Sequence, residues 1–290
     1  TKNGAVHLYN PYAQTVIKSF YGDEDNDQLG YSGIIPLANN NFVIASRLDD
    51  DSAGVVVDAG SVMLINGTTG AVIATHVGDV TGDGFGTYTK ALLNNNFVVT
   101  AWRATNLLSM ANAGSITLID GTTGAQIGAT IFGDQENDYL GYDEIEPLAN
   151  GNFAVASSWD NDSVGGNDIA GSVMLIDGTT GAVIATHVGD QADDYFGWSD
   201  IDALPNSNLA IASGHDNIDG SYDNAGSIML IDGATGAQIG TTLFGDSPND
   251  FLGGEESTIF VLSNNNFVVV SEDNNNGSPS VDDVGSVSLI

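Results

Sequence analysis

The residues best able to do chemistry are aspartates in a repeated loop, Gly-Asp-x-x-x-Asp-x-[Phe/Leu]-Gly, which occurs five times with small variations. Its acids are Asp23 and Asp27, Asp79 and Asp83, Asp134 and Asp138, Asp190 and Asp194, and Asp246 and Asp250. Two carboxylates four residues apart in a turn can converge on a hard cation, with backbone carbonyls and water completing its six to eight oxygens. The competing reading is local: aspartate in a turn bonds nearby backbone N–H groups, and a repeated corner calls for Gly and Asp in any case. A second acidic set lies in longer loops, LDDDSAGVVVDAG (48–60), WDNDSVGGNDIAG (159–171) and HDNIDGSYDNAG (215–226). It comprises Asp49, Asp51, Asp58, Asp160, Asp162, Asp168, Asp216, Asp219 and Asp223. EDNNNGSPSVDDVG (272–285) has the same pattern, whereas WRATNLLSMANAG (102–114) carries no acid, so this loop is free to vary, as binding loops do, or has decayed. Calcium is the expected ion, although no run has the spacing of an EF-hand loop.

Other chemistries find no support. There is no Cys, so neither a disulfide framework nor a thiolate is available. His76 and His187 occupy the same place in like repeats and read as strand residues. Trp102, Arg103, Trp159, Trp198 and His215 are unrepeated but suggest no coherent set. No nucleophile and base stand out, and no Gly-rich phosphate loop opens a helix. The chain is therefore expected not to be an enzyme.

The elements that must position the acids follow from a repeat. Gly-[Ser/Ala]-[Val/Ile] recurs at Gly4, Gly60, Gly114, Gly171, Gly226 and Gly285, a spacing of about 56 residues that marks a solenoid, propeller or array. Each unit opens with a strand such as GSVMLID (171–177), turns through GTTG (178–181), and continues in a second strand, AVIATHVG (182–189). The acidic loop, a third strand, an Asn-rich turn and a fourth strand such as FAVAS (153–157) follow. Short β-branched strands between Gly, Asn and Asp turns make a four-strand meander, and no segment has a helical period. The prediction is an all-β chain, a β-propeller of four-stranded blades, forming a single domain over 1–290 with about five repeats and a partial sixth at 285. Leu64, Leu118, Leu175 and Leu230 should be buried equivalents, as should Ile65, Ile119, Ile176 and Ile231. A longer period is superimposed: GSVMLINGTTGAVIATHVGD (60–79) and GSVMLIDGTTGAVIATHVGD (171–190) differ at one position, so like units alternate.

The 290 residues carry 38 Asp and Glu against 5 Lys and Arg, a net charge of −33 that repels nucleic acid and anionic membranes. With 42% hydrophobic residues the chain is still a folder rather than a disordered polyanion. No apolar run is long enough for a membrane-spanning helix. No signal peptide is visible, and the start at Thr1 reads as processed or trimmed.

The acidic loops end in Leu29-Gly30, Phe85-Gly86, Leu140-Gly141, Phe196-Gly197 and Leu252-Gly253, and the following long loops typically lead into Ala-Gly-Ser-Val. In this the chain resembles the FG-GAP repeat of integrin-α-type β-propellers. The resemblance implies one blade per repeat and an extracellular or cell-surface module for adhesion, with calcium in Asp-rich loops. The Gly-Ala-Pro part is absent, the matching segments reading Ala45-Ser46-Arg47 and Ala156-Ser157-Ser158. Where the family has an Asp-x-Asp-Gly-Asp-Gly hairpin, this chain has Asn-Asn-Asn at 39–41, 94–96 and 264–266, so calcium does not carry over to that hairpin. The DGTTGA turn is also similar to the turn of quinoprotein-type blades, which supports the fold and not the cofactor.

The function expected is an extracellular structural or adhesive propeller that contacts protein or assembles with itself. The alternative is a calcium-stabilised, lectin-like propeller binding glycan. Counting strands gives six of the first type and five of each other type. Either five blades close by strand exchange between the termini, with the spare strand able to pair with another molecule, or the chain is a segment of a longer array.

Overall fold

The computed structural model describes residues 3–50, 55–161, 169–217, 224–254, 258–271 and 286–290. Among them are 21 strands, the number counted from the sequence, and no α-helix. The chain divides into two compact units, Thr1–Tyr142 with Gly178–Gly181, and Asp143–Asp177 with Ala182–Ile290.

In the first unit, β1 (Ala5–Asn10) and β2 (Thr15–Tyr21) form a two-stranded sheet. A four-stranded sheet follows from β3 (Gly33–Pro36), β4 (Asn41–Ser46), β5 (Ser61–Asn66) and β6 (Val72–Val77). The next contains β7 (Thr89–Ala91), β8 (Phe97–Thr100), β9 (Ser115–Ile119) and β10 (Gln126–Phe132). In the second unit β11 (Ile145–Pro147), β12 (Phe153–Ser157), β13 (Ser172–Ile176) and β14 (Val183–Val188) form one sheet. Another contains β15 (Asp200–Ala203), β16 (Leu209–Ser213), β17 (Ser227–Ile231) and β18 (Leu243–Phe244). The last has three strands, β19 (Ile259–Val261), β20 (Phe267–Ser271) and β21 (Ser286–Leu289). Each four-stranded sheet is an antiparallel meander in chain order. Strand β21 takes the third place on its sheet, beside β20, and β1 pairs with β2.

The two middle strands of each meander are buried on both faces, which is why they read as uncharged, β-branched runs. The last strand of each meander is exposed or half-buried along its length. Cores form where successive sheets stack. Val43, Val62 and Leu64 pack with Phe97, Val99 and Ile119 in the first unit, and Val173 and Leu175 with Leu209, Ile211 and Ile231 in the second. Leu64, Leu118 and Leu175 are buried as expected, and so are all four isoleucines. Leu230 is only half-buried. Beside it Gly240, at φ +72°, interrupts the outer strand, leaving β18 two residues long. Gly128, at φ +68°, holds the same place in β10 and coincides with a break in its register. The alternation of repeats is thus an alternation between regular and interrupted outer strands.

The two fixed motifs of the repeat meet in space. Gly60 has φ +79°, and a Cβ there would lie 2.1 Å from the carbonyl oxygen of Phe85. Gly226 meets Leu252 in the same way. The opening glycine is therefore required by the backbone of the Phe-Gly or Leu-Gly corner. The Asn-rich hairpins also link repeats: Asn39 and Asn41 both donate through Nδ2 to the Gly121 carbonyl, at 2.9 and 2.8 Å. Asn94 and Asn96 do the same to Gly178, and Asn150 and Asn152 to Gly233. His76 and His187 donate to the carbonyls of Gly124 and Gly236, each at 2.8 Å, and so act as inter-repeat ties.

Candidate functional site: acidic corners and aromatic clusters

The two acids of the corner loop have different fates. The first of each pair, Asp23, Asp79, Asp134, Asp190 or Asp246, is exposed. The second, Asp27, Asp83, Asp138, Asp194 or Asp250, is buried. One oxygen of the buried acid fixes the turn. Oδ2 of Asp27 accepts the Glu24 N–H at 2.6 Å, that of Asp138 the Gln135 N–H at 2.7 Å, and that of Asp194 the Gln191 N–H at 2.7 Å. Asp250 accepts from both Asp246 and Ser247. The turn-capping reading of these residues holds for this oxygen and leaves the other unexplained.

The long loops supply what the turn does not. Asp49 joins Asp23 and Asp27, and Asp216 joins Asp190 and Asp194; in each group one carboxylate oxygen from every residue lies within 4.8 Å of the others. The two candidate sets of the sequence thus combine into single clusters, each with acids from a corner and from the loop that follows. Not every candidate takes part. Asp58 is exposed and donates its N–H to Asp50 Oδ1 instead. Asp160 is buried and accepts the Ser172 hydroxyl at 2.5 Å. Asp51, Asp162, Asp168, Asp219 and Asp223 lie outside the described residues.

Burial and mutual repulsion set the electrostatics. Burial pushes Asp49 up to about 6; the Ser61 hydroxyl opposes this, and Asp27 and Asp23 add to it. Burial followed by the charge of Asp216 pushes Asp194 up to about 7, and Asp216 itself is raised by burial to about 6. The corners differ in how the buried acid is satisfied. Asp194 Oδ1 accepts from Asn217 through its Nδ2 at 3.1 Å and its N–H at 3.3 Å. Asp27 is fully buried and its Oδ1 has no hydrogen-bond partner. At the second corner Ala104 stands where the long loop elsewhere carries its acid, as its backbone bond to Gly114 matches that of Asp49 to Gly60. A cavity of about 240 Å³ opens there, lined by Asp83, Ala104, Ser115, Thr117 and Gln126 among others. Burial raises Asp83 to about 6, with the Thr105 N–H pulling it back.

Beside the acids lie aromatic clusters that the sequence did not reveal as sets. In the second unit Trp159, Trp198 and His215 all contact Tyr195, at 6.0, 6.5 and 5.6 Å between ring centres. His215 further meets Trp198 at 5.0 Å and Phe251 at 5.6 Å. In the first unit Trp102 contacts Tyr139 and Tyr142, with the Arg103 guanidinium 4.3 Å over its ring. These rings are half-buried or exposed. Tyr195 follows Asp194 and His215 precedes Asp216, so one pair of loops builds both the acidic and the aromatic features. The available signal was the aromatic preference of the residues flanking [Phe/Leu]-Gly, at Tyr139, Tyr142, Tyr195, Trp198 and Phe251.

A family model, described as a repeat of unknown function, DUF5650, matches residues 36–86, 91–142 and 147–198, more than half of the chain. The chain belongs to the DUF5650 repeat family. Each matched DUF5650 segment starts beside the Asn-rich hairpin and ends in the corner loop. The first acidic cluster therefore takes Asp49 from one DUF5650 segment and Asp23 and Asp27 from the corner preceding it. The matched model is this repeat and not FG-GAP. No curated protein matches the chain. Among solved structures, 345 chains match, so the architecture is too widespread to select a function. A streptogramin B lyase structure is 12% identical with a TM-score of 0.50, covering 96% of this chain and 70% of its own. BamB from Moraxella catarrhalis is 13% identical with a TM-score of 0.48, covering 93% and 68%. The lyase likeness concerns fold alone, and with the four-stranded meanders it makes this DUF5650 chain a propeller-like repeat protein. No helix among the described residues is long and apolar enough to cross a membrane.

Proposed function

We propose that the chain is a non-catalytic binding module of the extracellular or cell-surface type, in which five propeller blades display an aromatic face to a protein partner. The observation that carries this reading is the chain of contacts through Trp159, Tyr195, Trp198, His215 and Phe251. Tyr and Trp supply large contact area at little cost in conformational entropy and dominate interface energetics. Trp159 remains 39% exposed at the rim of the cluster. His215 Nδ1 lies 3.1 Å from Asn224 Oδ1, a partner that orients the ring without activating a nucleophile.

A lectin-like reading is favoured by one feature, the exposed carboxylate of Asp190 close to the same loops, since a carboxylate accepts hydroxyl hydrogen bonds while aromatic faces cover apolar ring faces. A glycan array, followed by titration of any ligand it yields, separates the readings, and sedimentation across a concentration series tests self-association. Under either reading Trp159→Ala and Trp198→Ala lower affinity at least ~10-fold, as expected of aromatic anchors, while the circular dichroism spectrum is unchanged. Wild-type affinity in both variants would remove the aromatic face from the account.

A further inference from the structure

We propose that the first acidic corner is a binding site for a hard divalent cation of calcium's size, with Asp23, Asp27 and Asp49 as its protein ligands. Two independent observations carry this. The first is convergence: one oxygen from each of the three acids lies within 4.8 Å of the others, so that small side-chain adjustments bring all three to the 2.3–2.6 Å that calcium requires. The second is the buried Asp27 carboxylate. Its Oδ2 is used by the turn through the Glu24 N–H, and its Oδ1, buried on a residue of the same cluster, has no hydrogen-bond partner. A buried acceptor without a donor is costly, and more so when it carries charge. A cation would satisfy this oxygen and relieve the repulsion among the three acids together.

The donor set defines the ligand's class. It is all oxygen, with neither His nor Cys, which suits calcium-like ions and not zinc or copper. Arg47, a basic residue of this region, lies over the Tyr31 ring at 5.2 Å. The site is not the hairpin in which FG-GAP propellers are expected to hold calcium. In this chain that hairpin is 39–41, and Asn39 and Asn41 are spent on the Gly121 carbonyl.

Thermal unfolding of the full chain after chelator treatment tests the site, with calcium chloride compared against sodium chloride at matched ionic strength. Magnesium chloride provides the selectivity arm. The expected result is stabilisation by millimolar calcium well beyond that by sodium. Asp49→Asn should weaken the calcium response at least ten-fold in concentration, Asp49→Glu should retain most of it, and Asp83→Asn at the second corner should leave it unchanged. Asp49 is only half-buried, so its variants fold even if Asp27→Asn does not. Equal stabilisation by calcium and sodium would reduce the effect to screening and overturn the proposal. A full calcium response in Asp49→Asn would overturn it as well.

Discussion

The first corner, in one unit, and the corner of Asp190, Asp194 and Asp216, in the other, place three aspartates in the same relation yet treat the buried one differently. After Asp49 comes Asp50, which turns its Oδ1 to the N–H of Asp58 and offers Asp27 no donor. After Asp216 comes Asn217, which gives Asp194 two donors. One acid is left with an orphaned oxygen. The other has its hydrogen bonds made within the chain, and burial followed by the charge of Asp216 pushes it up to about 7. The residue after the long-loop acid thus separates a corner suited to a cation from one that is closed within the protein. The second corner extends the lesson, since Ala104 removes the opposing acid and the blade beneath still forms. Turn and blade do not need that acid.

The comparison requires that equivalent blades lie beneath the corners, and the largest effects test this. Leu64→Ala and Leu175→Ala, in the sheets next to the first and second clusters, should each cost ~2–5 kcal/mol in urea or thermal unfolding. An unchanged midpoint for either would break the equivalence. Exchanging the deciding residue comes next. Asn217→Asp removes the Nδ2 donor from a buried acid and sets another carboxylate beside it, and should cost about 1–3 kcal/mol in chelator, recovered by calcium. Asp50→Asn should do the reverse, abolishing most of the calcium response without loss of stability. Should neither exchange alter the calcium response, the contrast must lie elsewhere in the loops.

The smallest effect is a pH slope. Asp194 is raised in the folded state from 3.8 to about 7. Its contribution to stability is therefore fully present below pH 4 and is lost as pH rises through 7. With solvent screening allowed for, the loss is about 1 kcal/mol. In calcium-free buffer Asp194→Asn should flatten the profile between pH 4 and 7. A profile identical to wild type would assign the slope to other carboxylates.

The blades were legible because their cause is local. Uncharged β-branched runs, GTTG turns and fixed glycines specify strands one at a time, and the number of strands follows. Leu230 is the exception among the four leucines, half-buried beside the outer strand that Gly240 cuts to two residues. The acids were legible as two separate lists. That Asp49 meets Asp27 depends on two strands and a hairpin folding between them, and no spacing rule for a single loop encodes that distance. The aromatics were hidden for the same reason. Tyr195 and Trp198 come from one loop and Trp159 and His215 from two others, each at a position where the repeat tolerates change.

Equilibrium dialysis against radioactive calcium is the most direct measurement, with bound ions counted for the wild-type chain, Asp49→Asn and Asp216→Asn. The account predicts that Asp49→Asn binds one calcium fewer than wild type and that Asp216→Asn binds the same number. Identical counts in all three proteins, or a loss confined to Asp216→Asn, would contradict it.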